Sequence, residues 1–446
     1  MRPTGRLHIG HYFGALKSWV ALQNKIDPRT NEPEFECFFP VVDWHALTTH
    51  YEDTSSIGEN VFQITLDWLS VGLDPEKSTI FLQSSVLEHA ELHVILSMIT
   101  PLGWLERVPT YKEQIDNLKD KDLGTYGFLG YPVLQSSDIV LYGVPGQSLL
   151  VPVGEDQVPH VELTREITRT FNSRFGFAIN DEVFERANSH KLKAVVELAL
   201  GNERAAALLA KDAKGGLDRG AITGGLQTAA REDGIENFIE KVSPADAGRF
   251  FRARHVLQEP DVMLTETPRL PGTDGRRMAK SYGNFISLSE PLDSLRAKSR
   301  NMMTDPARVR RTDPGNPDVC PVFAYHKLFS PAPVIDRVNT ECRTAAIGCV
   351  DCKKLMADHL ITWIEPIQAK RREFESHPQR VWDILDNGSR DARKAARATM
   401  ERVREAIFGW DEARQAHGLR ALAAGKEVGG TDVGGADAGG KDAVKD

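Results

Sequence analysis

The apolar positions of this chain fall into two alternating textures. Short, nearly continuous apolar runs mark candidate strands. At 35–43 the run Cys37-Phe38-Phe39-Pro40-Val41-Val42 suits a buried strand, with Pro40 weakening its centre, and 78–83 and 147–152 read as strands feeding loops. Between them, residues 57–71, 88–100 and 161–171 space their apolar side chains as helices with one buried face do. Short strands alternating with longer helices predict a parallel α/β sheet. Ligands of such sheets bind beyond the carboxyl ends of the strands. Asp43-Trp44-His45, Gln83-Ser84-Ser85 and Val153-Gly154-Glu155-Asp156-Gln157 follow strand candidates directly, so site residues should collect there.

From about residue 187 to 250 the texture shifts to Ala-rich helix, Gly-rich linker and charged helix, with no catalytic constellation. A surface insertion or small helical subdomain is expected. From 291 to 409 the pattern is mostly helical, with Leu360, Ile361, Ile364 and Ile367, then Ala396, Met400, Val403 and Ile407, marking apolar faces. Beyond about residue 424 the chain is rich in Gly, Asp and Lys, with scarcely any apolar anchor, and disorder is expected.

Composition changes this picture little. A chain of 446 residues can bury a large core in two or three domains, and 41% hydrophobic with 26% charged residues is ordinary for a globular protein. The net charge of −8 shows no basic coat, although local basic patches suffice to meet RNA. There is no run of about 18 uncharged apolar residues and no apolar signal core, so a cytoplasmic protein that meets no membrane is expected.

Two segments carry candidate chemistry. Thr4-Gly5-Arg6-Leu7-His8-Ile9-Gly10-His11 places two imidazoles around a glycine where a helix should begin, and Arg277-Met278-Ala279-Lys280-Ser281 places cations on a glycine-flanked loop. A helix start offers unpaired N–H groups to a phosphate, and imidazole or ammonium donors stabilise charge on a transferring phosphoryl group. No Ser-His-Asp or Cys-His arrangement accompanies them.

Five ordered blocks resemble the tryptophanyl-tRNA synthetase family of class I aminoacyl-tRNA synthetases. They are residues 2–16, Val42-Asp43-Trp44-His45-Ala46-Leu47-Thr48, Tyr131-Pro132-Val133-Leu134-Gln135-Ser136-Ser137-Asp138-Ile139-Val140, Val151-Pro152-Val153-Gly154-Glu155-Asp156-Gln157, and residues 270–284 around Lys280. The resemblance spans residues 2 to about 180 and 258 to about 410. It implies an α/β fold, with a Rossmann-like parallel-sheet catalytic domain and a helical C-terminal anticodon-binding domain. The implied limits are 1–180 for the catalytic domain, 181–257 for an inserted helical subdomain and 258–290 for the end of the catalytic domain with a mobile Lys280 loop. The anticodon-binding domain follows at 291–412, then a disordered tail at 413–446.

The implied activity joins L-tryptophan to its cognate tRNA at the expense of ATP, with Mg²⁺ accompanying the nucleotide and a homodimer spanned by tRNA. The resemblance puts Thr4, His8, Gly10, His11, Gly154, Asp156, Gln157, Arg277, Met278, Lys280 and Ser281 against ATP, with His8, His11 and Lys280 catalytic. It puts Asp138 on the indole N–H, with Tyr131, His45, Gln135 and Gln157 around the substrate. Indole has only that one polar handle, so an acceptor left unpaired by phenylalanine would be costly. Arg277, Ala279 and Gln135 stand where the family usually has lysine, serine and methionine. The family also opens with a short strand before the Pro-x-Gly turn, whereas this chain begins Met1-Arg2-Pro3. A start further upstream is expected, with compensation by another segment or a defective product as the alternatives.

Cys320, Cys342, Cys349 and Cys352 give C-x21-C-x6-C-x2-C, while Cys37 lies in a strand candidate as an apolar residue. Four thiolates suit tetrahedral zinc or an iron–sulfur cluster, and ligand chemistry alone leaves both open. Resemblance to bacterial family members with nearly this spacing implies a [4Fe–4S] cluster, with Zn²⁺ or free thiols as alternatives, placing Arg343, Lys353 or Lys354 near tRNA. A tyrosine-specific relative and a catalytically dead RNA-binding relative remain the rival readings.

Overall fold

The computed structural model describes residues 1–109, 124–210, 216–242, 247–265, 270–410, 413–414 and 417. The chain divides into two compact units, residues 1–403 and a C-terminal unit from Arg404 onward. The tail expected to be disordered lies outside the described residues but for isolated positions.

The first unit opens with α1, which runs through Ile9–His11, a π-helical turn Tyr12–Leu16 and Lys17–Gln23. Strand β1 (Cys37–Val41) leads into helix α2 (Asp43–His50), and α3 (Ile57–Val71) leads into β2 (Ser78–Leu82). α3 occupies the predicted residues because its apolar face, with Val61, Ile64 and Trp68 fully or nearly fully buried, repeats at helical spacing. It stops where Gly72 takes φ +109°, the left-handed cap that a side chain would strain. Helices α4 (Glu88–Ser97) and α5 (Tyr126–Val140), strand β3 (Leu149–Val153) and helix α6 (Val158–Phe171) follow. α6 begins earlier than its apolar spacing indicates, because Pro159 suits a first helical turn.

The parallel sheet takes the form of two parallel pairs among the described residues. β1 pairs with β2 in register Cys37 with Ser78, and β3 pairs with β6 (Pro260–Leu264) in register Leu149 with Pro260. Pro40 stands opposite Phe81, and its carbonyl accepts from the Met1 ammonium at 2.7 Å on the other edge of β1. The Val42 N–H donates to Met1 O at 3.1 Å, so Met1 lies along that edge.

Between β3 and β6, strands β4 (Phe177–Ile179) and β5 (Phe251–Ala253) form an antiparallel pair. They pack with α7 (Ser189–Leu200), α8 (Asn202–Leu208), α9 (Arg219–Asp233) and α10 (Ile235–Val242) around a core of their own that includes Phe177, Val196, Leu226, Phe238 and Phe251. After α11 (Leu292–Asn301) come α12 (Pro321–Phe329), α13 (Ala332–Arg343), the long α14 (Cys349–Glu375) and α15 (Pro378–Phe408). α14 shares the principal core with α3, through Leu360 and Ile364 beside Ile64 and Trp68. α15 lies directly on β2: a Cβ at Gly388 would fall 1.9 Å from Ile80 O, and Ser389 Oγ accepts the Leu82 N–H at 3.2 Å. A helix thereby covers a strand edge that would otherwise expose unpaired backbone.

Candidate active site

The first cluster forms where α1 begins. Gly5 turns the chain at φ +98°, and His8 is extended at φ −115°, ψ 167°, immediately before the first helical residue. The His8 backbone N–H donates to His11 Nδ1 at 3.1 Å, which fixes Nδ1 as an acceptor and leaves Nε2 to carry the proton of a neutral ring. The two imidazole rings lie against each other, tilted by 39°, with centroids 3.7 Å apart. Gly10 makes this possible, since a Cβ there would lie 2.9 Å from His8 ring atoms and 3.3 Å from Met278 Sδ. Burial and then Lys280 lower His8 to about 4, and burial, His8 and Lys280 lower His11 to about 3. Both rings are neutral near pH 7, and His8 Nδ1 is buried without a hydrogen-bond partner.

The Lys280 loop meets this helix start. Asn284 shapes the loop, donating from Nδ2 to Asp274 Oδ1 at 2.7 Å and Arg277 O at 3.0 Å while its Oδ1 accepts the Ala279 N–H at 2.9 Å. On the short 3₁₀ turn that follows, Lys280 donates from Nζ to Thr4 O and Gly5 O, both at 3.0 Å. Burial lowers the ammonium's pKa, against the opposing pull of Asp67. A cavity of about 230 Å³ opens beside Thr4, Gly5, Arg6, Lys280, Ser287 and Ser289. Met278 is buried, whereas Arg277 and Ser281 are exposed.

A second cleft, of about 400 Å³, is lined by His45, Tyr131, Gln135, Asp138 and Gln157, together with Arg2, Trp19, Val42 and Thr48. Asp138, near the end of α5, accepts from His45 Nε2 at 3.0 Å, His89 Nδ1 at 2.7 Å and Gln83 Nε2 at 2.7 and 2.9 Å. Burial opposes its ionisation, but His89 and His45 outweigh burial and hold the carboxyl well below the usual range. Gln83 Oε1 accepts the Trp44 N–H at 3.1 Å, and Asp43 Oδ1 accepts the Ser84 N–H at 3.0 Å. The loops after β1 and β2 thus cap each other and aim Gln83 at Asp138. His89 Nε2 meets Tyr142 OH at 2.7 Å, and Tyr131 OH meets His160 Nε2 at 2.8 Å.

The residues expected to bind the amino acid therefore share one cleft. Of those expected to bind ATP, Thr4, His8, Gly10, His11, Met278 and Lys280 gather at the helix start. Gly154 and Asp156 lie after β3 instead, with Asp156 exposed and accepting from Gln157 Nε2 at 2.9 Å. Gln83 lies in the segment after β2 where site residues were expected, without a role given to it, whereas His89, Arg2 and Trp19 were not expected in the site. The need of a buried carboxylate for donors is the signal for His89.

The four cysteines lie close enough that Cys320, Cys342 and Cys349 all oppose ionisation of Cys352, whose thiol is pushed up to about 12 by burial first and by these neighbours second. Among the described residues, however, no group of three or more His, Cys, Asp or Glu is arranged to hold a metal ion. The expected closed ligand set is instead four neighbouring thiols, two of them turned to other partners. Cys352 Sγ lies 3.5 Å from His326 Nε2, and Cys342 Sγ lies 3.9 Å from Arg308 Nη1. Arg343 pairs with Asp318 at 2.6 Å and Lys353 Nζ donates to Arg300 O at 3.0 Å, so both are engaged within the chain.

Residues 1–202 and 238–365 match the family of class I tRNA synthetases (W and Y). The tryptophan–tRNA ligase of Ralstonia nicotianae is 45% identical over 91% of this chain and 96% of its own length. That of Thermotoga maritima is 42% identical over 91% and 97%. Among solved structures, the tryptophanyl-tRNA synthetase of Campylobacter jejuni, complexed with ADP and tryptophan, superposes with a TM-score of 0.65 at 26% identity, covering 91% of this chain and 98% of that one. With a buried carboxylate in a partly aromatic cleft and a lysine closing on a histidine-flanked helix start, the chain belongs to the class I tRNA synthetases of the tryptophan and tyrosine type, among the tryptophan–tRNA ligases.

Proposed function

We propose that the two clusters are the two halves of the tryptophan-activating site, the Asp138 cleft seating tryptophan and the His8–Lys280 cluster seating the ATP phosphates. The observation that carries this reading is the Lys280 ammonium lodged against Thr4 and Gly5 beside two neutral imidazoles. A cation and N–H donors at a helix start stabilise charge that grows on phosphoryl oxygens.

The tryptophan carboxylate attacks the α-phosphorus of ATP, the bond from that phosphorus to its bridging oxygen breaks, and pyrophosphate leaves with the electron pair. A terminal-ribose hydroxyl of the tRNA then attacks the acyl carbon, loses its proton, and displaces AMP. Positioning and electrostatics suffice for both steps, so no side-chain nucleophile is required. Mg²⁺ enters on ATP as part of the substrate and offsets phosphate charge. His11 presents Nε2–H, and Lys280 exchanges its backbone acceptors for phosphate oxygens. Asp138, held ionised by His45, His89 and Gln83, retains acceptor capacity for the indole N–H.

The helices after residue 291 serve as the anticodon-binding part of a homodimer. Cys320, Cys342, Cys349 and Cys352 serve as ligands of an iron–sulfur cluster, or of zinc, that ties α12, α13 and α14 together. Support for the metal lies in the donor set: four soft donors whose mutual repulsion as thiolates a bound cation removes. Pyrophosphate exchange with tryptophan and tyrosine compared side by side tests the activity, and exchange with tyrosine alone overturns it.

A further inference from the structure

The segment carrying His8 is gripped from a helix more than 300 residues away in sequence. Asp67 on α3 is fully buried and accepts the Leu7 N–H at 2.7 Å through Oδ2. Its Oδ1 meets the guanidinium of Arg371 on α14, which is only 3% exposed and also reaches Gln63 Oε1. Outside this pair, Glu375 lies 3.2 Å from Arg371 Nε. One turn earlier on α14, Gln368 donates from Nε2 to Leu288 O at 3.2 Å and Glu290 O at 2.8 Å.

These contacts meet on opposite sides of one short antiparallel bridge, His8 with Ser287. Across it, the Leu288 N–H donates to Leu7 O at 2.9 Å and the Ile9 N–H to Ile286 O at 3.0 Å. Residues 368 and 371 are three apart and share a face of α14. Arg371 holds the Leu7 side through Asp67, and Gln368 holds the 286–290 side directly. A buried ion pair is a poor source of stability, because apolar residues of similar volume serve a core as well or better. What this pair supplies is an aimed carboxyl acceptor for the Leu7 N–H, which the bridge leaves unpaired.

We propose that Arg371 and Gln368 are positioning residues for ATP activation, setting the seat of His8 against the 286–290 segment. The inference rests on reading the His8–Lys280 cluster as the nucleotide side of the site. Arg371→Lys keeps the charge but loses the two-pronged guanidinium, and Gln368→Met keeps the volume but loses both hydrogen bonds. Each variant should lower kcat/KM for ATP in pyrophosphate exchange by about tenfold, with KM for tryptophan within about twofold of the parent. Hydrogen exchange of the full-length protein should show faster exchange in residues 5–10, while residues 57–71 stay protected.

Unchanged exchange at residues 5–10 in both folded variants overturns the proposal. Equal losses toward ATP and tryptophan, with 57–71 deprotected, overturn it too by showing a merely structural role. Lys280→Met, measured alongside, separates the underlying reading. If it leaves ATP kinetics intact the nucleotide assignment fails, whereas the exchange of residues 5–10 still decides whether α14 seats that segment.

Discussion

Lys280 donates from Nζ to the carbonyl oxygen of Gly5 at 3.0 Å, closing a contact across 275 residues of sequence. A backbone carbonyl is a neutral acceptor, and an arriving phosphate oxygen is a stronger one for an ammonium. On the proposed reading, nucleotide binding releases Lys280 from Thr4 and Gly5.

A side chain at Gly10 would crowd the His8 ring and Met278. In Gly10→Ala the new methyl group meets the His8 ring at 2.9 Å, so that ring must shift against His11. We expect a stability loss of about 1–3 kcal/mol, as for other overpacked sites. Thermal unfolding together with ATP-dependent pyrophosphate exchange checks it, and an unchanged Tm with unchanged ATP kinetics contradicts it.

The histidine pair is neutral at working pH, with His8 lowered to about 4 and His11 to about 3. Because both folded values lie below the unfolded value of about 6.5, their contribution to stability is fully present above pH 6.5 and is lost as pH falls through about 4 and 3. Denaturant unfolding between pH 7 and 4 should show a shallower decline for His8→Gln/His11→Gln than for the parent. Proton titration followed by NMR should find neither ring charging near pH 6.5; a ring that charges there refutes the buried, lysine-flanked environment.

Asp138 works as a charge with three donors around it. Asp138→Asn removes the charge and leaves His89 or His45 short of an acceptor, so KM for tryptophan should rise about tenfold or more while KM for ATP stays within about twofold. Gln83→Leu should follow in the same direction more weakly, since the histidines still engage the carboxylate. Steady-state exchange with each substrate varied in turn measures both. A change confined to ATP would move Asp138 out of the tryptophan half of the site.

What the sequence made legible follows from what periodicity can carry. α3 is readable because a helix that buries one face must repeat its apolar residues, and Gly72 marks its end. The clustering of Tyr131, Gln135 and Asp138 is readable for a similar reason, as they sit on one helix at near-turn spacing. The strand-end position of Gln83 is readable too, but its partner is not, nor is His89: they reach Asp138 from the turn after β2 and from the start of α4, and polar contacts between separate elements leave no period. The π-helical turn at Tyr12–Leu16 and the grip of α14 on Leu7 are hidden alike. The metal expectation came from residue type and from resemblance to relatives with nearly this spacing, and neither records where each sulfur points. Cys342 and Cys352 turn toward Arg308 and His326.

The thiol group gives a direct compositional test. Protein purified without oxygen should carry iron and labile sulfide, or zinc, and Cys352→Ser should abolish the metal and lower the melting temperature. Metal content unchanged by that substitution would remove these cysteines from any metal centre.

The central claim is that Lys280 acts on the phosphates of ATP while tryptophan occupies the Asp138 cleft. Pyrophosphate exchange by the parent and by Lys280→Met, with tryptophan and then tyrosine as the amino acid, tests it most directly. The account predicts tryptophan-dependent exchange by the parent, a fall in kcat of about 10²–10³ in the variant, and an unchanged affinity for tryptophan. Exchange that proceeds equally well in Lys280→Met, or that depends on tyrosine alone, would contradict it.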